Sequence, residues 1–274
     1  LELWRVHADR PLLLRLSLDR PHTPVTCPKP YDTMYEAPAR AERLEREPLD
    51  GQPLAVKDQR TRRRWDDFTD DEIRLMRQYY YGVMTHLDFE VGRLLDEVER
   101  SDRADRTLTI LTADHGCMLG EHGLFVKGPH YHAETARVPF IVSWPGVLPE
   151  ARRVADMVEM VDLLPTLCDL AGLAIPSRAV GRSLVPVMRG EAPGRSEVFA
   201  EQYTPHGRTR WEAVRTEDFC YTRYLEAGDG ALYDLRNDPY ERRNLWAEAR
   251  GSALAADLDR RLDAWKAAFP EAGK

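Results

Sequence analysis

No stretch of this 274-residue chain approaches the run of about 20 apolar residues that crosses a bilayer, which excludes a membrane-spanning helix within it. Cysteine is scarce. Cys27, Cys117, Cys168 and Cys220 lie far apart with no Cys-x-x-Cys pair, which excludes a zinc-ribbon motif and a dense disulfide framework and leaves the redox compartment open. Positive charge is in deficit: 39 Lys and Arg against 46 Asp and Glu leave a net charge of −7, which argues against a nucleic-acid surface. The one basic cluster, Arg60, Arg62, Arg63 and Arg64, reads as a solvated face or loop ahead of a subsite for an anionic substrate. There is no internal repeat and no low-complexity segment. No signal peptide is visible, and with Leu1 rather than methionine as the first residue, localisation stays open. What remains is an ordinary globular composition, 43% hydrophobic and 31% charged, long enough for one large domain or a large piece with a small one.

Residues 1 to 35 read as a helix end, a buried strand and a proline-rich loop. Residues 36 to 68, with Pro38, Pro48 and Pro53, many charges and little periodicity, read as a long surface excursion of the kind that shapes substrate access. A helix then begins at Thr69 with a capping box to Glu72, and Ile73, Met76, Tyr80, Val83, Leu87, Val91, Leu94 and Val98 supply its apolar face. It leads into the β-branched run Thr107 to Thr112, so strand, helix and strand predict a right-handed parallel crossover. A second helix is expected over Val161 to Leu170, with Pro165 in its first turn and Gly172 at its end. From about residue 195 short runs such as Ser196–Ala200 and Glu212–Thr216 predict a small antiparallel sheet. An amphipathic helix with Leu254, Leu258, Leu262 and Trp265 closes the chain.

The chemistry concentrates in Thr112-Ala113-Asp114-His115-Gly116-Cys117-Met118-Leu119-Gly120-Glu121-His122-Gly123, followed by Lys127-Gly128 and Arg137-Val138-Pro139. Asp114 and His115 stand where the strand ends, and ligands of open α/β sheets bind beyond the carboxyl ends of strands. Gly116, Gly120 and Gly123 let the following loop turn sharply and come close.

These residues resemble a sulfatase, a member of the alkaline-phosphatase-like superfamily. Tyr131, Arg137-Val138-Pro139, the strand Phe140–Ser143 and Trp144-Pro145-Gly146 continue the pattern. So do Asp9-Arg10-Pro11, Leu12–Ser17, Pro21-His22-Thr23-Pro24 and Pro30–Tyr35 upstream, and Leu232-Tyr233-Asp234-Leu235, Asp238-Pro239, Glu241 and Asn244-Leu245 downstream. The likeness spans nearly the whole chain. It departs at His132, where a glutamate often follows the tyrosine. The resemblance implies an α/β fold, an alkaline-phosphatase-like mixed and largely parallel sheet flanked by helices, with a small C-terminal antiparallel sheet and helix subdomain. On that reading 1–194 is the C-terminal part of the catalytic domain and 195–274 the subdomain.

The resemblance also implies roles. Asp114 and His115 become metal ligands, for calcium first and magnesium or manganese as alternatives. An isolated Asp-His would more often be a turn cap beside a satisfied interior histidine, and it is the surrounding motif that favours a site. Lys127 becomes a catalytic and substrate-binding residue that touches the sulfate and helps protonate the leaving oxygen. His22 becomes a second catalytic and substrate-binding group, acid or base near neutrality. His122 is expected to be structural and oriented by Glu121, and Arg137 to pair with a carboxylate. His7, His86 and His206 are left as surface or core residues. The family's nucleophile, a formylglycine made on a Cys/Ser-x-Pro/Ala-x-Arg motif, fits none of the four cysteines. The chain is therefore expected to be the C-terminal portion of a longer sulfuric ester hydrolase, inactive alone, with uncovered strand edges and apolar faces. Its substrate would be a sulfate ester of a small molecule or glycan, with no nucleic acid partner and an open oligomeric state. The alternatives are a phosphodiesterase or phosphonate monoester hydrolase of the same superfamily, and a non-catalytic metal-binding remnant.

Overall fold

Thr69 opens the longest element. Its Oγ1 accepts the Glu72 amide at 3.3 Å while its own amide donates to Glu72 Oε2 at 2.7 Å, the expected capping box. The structure is a computed structural model that describes residues 2–7, 9–36, 48–203 and 209–268. Its helices and strands are, in order, α1 (Glu2–Val6), α2 (Leu54–Arg63), α3 (Asp70–Glu99), β1 (Thr109–Thr112), α4 (Ala133–Ala136), β2 (Phe140–Ser143), α5 (Leu163–Leu170), α6 (Val185–Arg189), β3 (Glu197–Tyr203), β4 (Arg210–Thr216), β5 (Phe219–Tyr224), β6 (Asp229–Asp234), α7 (Trp246–Ala249) and α8 (Ala253–Ala268). No helix among the described residues is long and apolar enough to cross a membrane.

Part of the expected surface excursion is core. Residues 37 to 47, including Pro38, lie outside the described residues, as does His206. Residues 54 to 67, however, form α2 and a short 3-10 turn, and bury Val56 and Trp65 against Ile73, Met118, Leu124 and Phe125. Periodicity hides this because α2 spends one of its two buried positions on a cation, Arg60. The basic cluster is thus split: Arg60 is buried, and Arg62, Arg63 and Arg64 are exposed.

The expected parallel crossover is not formed among the described residues. β1 pairs with β2 antiparallel, with Thr109 opposite Ser143 and Thr112 opposite Phe140, because the loop between them folds straight back. Leu12 to Ser17 join no sheet among the described residues, and Leu13 is 82% exposed. α5 and its proline follow expectation, two residues shorter at the start.

The C-terminal elements match their prediction closely. β3, β4, β5 and β6 form one antiparallel meander. Its alternating side chains serve two faces. Val214, Tyr221 and Leu232 meet Leu258 and Leu262 of α8, and Phe199 stacks on Trp265 at 5.2 Å. Trp211, Ala213 and Tyr224 on the opposite face meet Ala55 and Tyr131. The sheet is therefore covered on both sides and holds the loop that follows β1.

Candidate active site

β1 ends at Thr112, and two residues later the chain turns so that Gly116 can pack under α4. The Gly116 amide donates to Thr135 O at 2.9 Å, and a Cβ there would lie 1.9 Å from Glu134 O, so only glycine allows this approach. That contact fixes His115. Its ring Nδ1–H donates to Gly116 O at 2.8 Å, which leaves Nε2 as the unprotonated nitrogen, and Lys127 Nζ donates to Nε2 at 2.7 Å. Asp114 Oδ1 accepts the His115 amide at 3.0 Å, while Oδ2 stands 3.5 Å from Nε2. The Asp114 side chain is 86% exposed and that of His115 30%.

Three of the four predicted site residues thus meet: Asp114, His115 and Lys127. His22 sits elsewhere, exposed on its proline-rich loop with Nδ1 2.8 Å from Thr23 O, and among the described residues bonds to none of the three.

As a metal site the pair fits in kind but is incomplete. A carboxylate and an imidazole whose Nδ1–H is held by a carbonyl form the usual ligating arrangement. Yet no group of three or more His, Cys, Asp or Glu among the described residues could hold an ion, and calcium takes six to eight oxygen ligands. Asp114 and His115 can be two donors of a larger set.

The loop between the pair and α4 is pinned by residues that the sequence pattern does not single out. Arg77 donates to Leu119 O at 2.7 Å and to Glu121 Oε1 at 2.9 Å, which ties the loop to α3. Glu134 Oε2 lies 3.8 Å from His122 Nε2. Arg60 pairs with Asp66 and reaches His122 O. Arg137, expected in an ion pair, is exposed and pairs with no carboxylate among the described residues. His122 is buried and stacked on His132 with centroids 4.0 Å apart. His132 donates from Nδ1 to Glu241 Oε2 at 2.9 Å, and Arg215 closes on the other carboxylate oxygen. Burial works against the Glu241 charge, but the hydrogen bond and charge of His132 and the Arg215 guanidinium outweigh it and hold its pKa down at about 2. Beside them burial, and then the neighbouring His132 charge, keep His130 well below the usual histidine range. All four cysteines are free. Glu121, His122 and Glu241 lie in recognisable motifs, and nothing in those motifs tells what they touch.

Comparison with known proteins gives the family. The family model "Sulfatase" matches residues 2–173, and "N-sulphoglucosamine sulphohydrolase, C-terminal" matches 120–268. The chain belongs to the sulfatase family, of the alkaline-phosphatase-like superfamily. It is similar to a Delta 4,5-hexuronate-2-O-sulfatase of Bacteroides thetaiotaomicron, 34% identical over 200 residues, covering 68% of this chain and 41% of the relative. It is similar too to a choline-sulfatase of Rhizobium meliloti, 33% identical, covering 93% and 51% respectively. Among solved structures the phosphonate monoester hydrolase of Agrobacterium radiobacter superposes with a TM-score of 0.82 at 26% identity, covering 98% of this chain and 60% of that one. The α/β class is therefore that of these proteins, even though the sheets formed here are antiparallel. The chain spans about half the length of the curated relatives it matches.

Proposed function

We propose that this chain supplies part of the active site of a metal-dependent sulfuric ester hydrolase. The observation that carries the reading is the meeting of Asp114, His115 and Lys127 at the end of β1, in a chain of the sulfatase family. Residues 1–194 would be the C-terminal part of the catalytic domain and 195–274 a small subdomain, a division supported by the separate clusters around Ile73 and around Leu262.

Asp114 and His115 would hold a divalent ion, calcium first, which neutralises sulfate oxygens. A formylglycine from outside these residues would supply the nucleophile. The chain's own residues do the rest. Nε2 of His115 has one lone pair, so accepting from Lys127 and ligating an ion exclude one another. Lys127 would serve the sulfate as a point charge and as a proton source for the leaving oxygen. His22, on a loop set by flanking prolines, would contact the sulfate and assist departure from the other side. The substrate class is a sulfated small molecule or glycan, supported by relatives named for hexuronate and N-acetylglucosamine sulfate esters.

A second reading, a phosphonate or phosphodiester hydrolase, is favoured by the Agrobacterium superposition. Turnover of aryl sulfate against phenylphosphonate and phosphodiester substrates by the longest polypeptide containing residues 1–274 separates the two. Sulfate turnover that EDTA abolishes, and that Lys127→Ala lowers on the order of 10²–10³-fold, is the expected result. Equal turnover by Lys127→Ala would remove Lys127 from the mechanism. Residues 1–274 alone are expected to give no turnover.

A further inference from the structure

Glu241 is the most completely enclosed carboxylate that reaches the site, 1% exposed, and its backbone adopts φ 55°, a left-handed conformation that a glutamate rarely takes. Something must hold it there. Its Oε2 accepts from His132 Nδ1 at 2.9 Å and from the Ala133 amide at 3.3 Å, so one oxygen caps both the residue before α4 and the first residue of that turn. Its Oε1 is taken by Arg215 of β4. The turn it caps is closed by the Thr135 and Ala136 amides on His132 O, at 3.0 and 2.9 Å. Thr135 O receives the Gly116 amide at 2.9 Å, and Gly116 O receives the ring N–H of His115. A continuous path therefore runs from the C-terminal sheet through Glu241 and His132, across α4, to the imidazole that meets Lys127. The lysine end is tied to the same sheet, where the Tyr224 hydroxyl donates to Pro129 O at 2.6 Å.

We propose that Glu241 is a positioning residue for the His115–Lys127 pair, acting through His132 and α4. This rests on the functional reading above for its catalytic consequence, but not for its structural one. His132 then has a purpose that its departure from the family pattern left open: it presents an N–H where a glutamate would present a second negative charge to Glu241.

The same sheet contains a control. Glu212 is equally buried, 1% exposed, and is also held by cations, Arg223 at 2.7 Å and Lys266, yet it faces α8 and has no path to His115. The test compares Glu241→Gln with Glu212→Gln in the full chain labelled with ¹⁵N, following the Gly116 amide and His115 ring nitrogens at one pH together with the thermal midpoint. Both variants are expected to lower the midpoint, and only Glu241→Gln to move the Gly116 and His115 signals. Should Glu241→Gln not fold, Glu241→Asp keeps the charge and shortens the reach, and the same two signals are read. Unmoved signals in a destabilised Glu241 variant, or equal movement in the Glu212 variant, overturn the proposal. In the longest polypeptide, Glu241→Gln is expected to lower kcat on the order of 10–100-fold with KM little changed. A wild type without sulfatase turnover would overturn the functional reading and leave the spectroscopic test standing.

Discussion

The two ends of this chain solve the problem of covering apolar surface in opposite ways. The β3–β6 sheet has α8 on one face and the Tyr131 region on the other, so that four consecutive residues of β4, Trp211 to Val214, are all buried. At the other end Leu12, Leu13, Leu14, Leu16 and Leu18 are all exposed on one short segment, and Phe89 and Leu95 are exposed on α3. The difference teaches where the folding energy lies. The C-terminal meander encloses its own core, while the N-terminal part presents apolar surface that its own contacts leave bare. The Asp114–His115–Lys127 group stands on the less enclosed part and is held in place from the better enclosed one.

If that contrast is right, the largest effect belongs to α8. Leu262 is fully buried against Val214, Tyr221 and Leu232, so Leu262→Ala should lose about 4 kcal/mol from transfer and cavity terms together. Urea unfolding measures it. A loss below about 1 kcal/mol would show that this core is looser than its packing indicates.

Acid comes next, because the seam between the two regions carries two groups with depressed pKa. A group lowered in the folded state stabilises above its unfolded pKa, and that stability is lost as pH falls. For His130 the loss begins as pH drops below the ordinary histidine pKa of about 6.5. For Glu241 it begins below 4.5 and runs down to about 2, a term of about 3 kcal/mol at 1.4 kcal/mol per unit. Urea midpoints between pH 8 and 3 should fall in these two stages, and His130→Phe should flatten the first alone. A first stage that survives His130→Phe would assign it to another group.

The same contrast governs what could be read from the sequence. α8 was legible because one face is apolar at helical spacing, and the meander because its strands are short and bounded by turns. α2 was not, since Arg60 occupies a core position that periodicity counts as polar. The direction of the β1 and β2 pairing was not, since a strand run does not state its partner. Within the site, Asp114, His115 and Lys127 were legible through motif spacing, whereas the bond between His132 and Glu241 joins residues 109 positions apart. Both belong to recognisable stretches, and only the fold shows that they touch.

A smaller effect tests the junction where the less enclosed part begins its long helix. The Thr69 hydroxyl caps α3 by accepting the Glu72 amide and also donates to Glu72 Oε2 at 2.9 Å, so Thr69→Ala should lose about 1 kcal/mol and Thr69→Ser very little. Equal losses for the two would point to the threonine methyl rather than the cap.

The smallest expected change in stability is at the bare end, and it is the one that separates exposure from burial most directly. Leu13 and Leu16 are 82% and 58% exposed, so replacing both with serine removes almost no buried area, and the unfolding free energy should stay within about 0.5 kcal/mol of wild type. Association should change nonetheless, since a run of exposed leucines outside any sheet offers apolar surface to another chain. Sedimentation of the two proteins over a range of concentrations reads this. A shift toward monomer at unchanged stability is the expected result. A large loss of stability would mean that these leucines are covered in solution, and the contrast between the two ends would then fail.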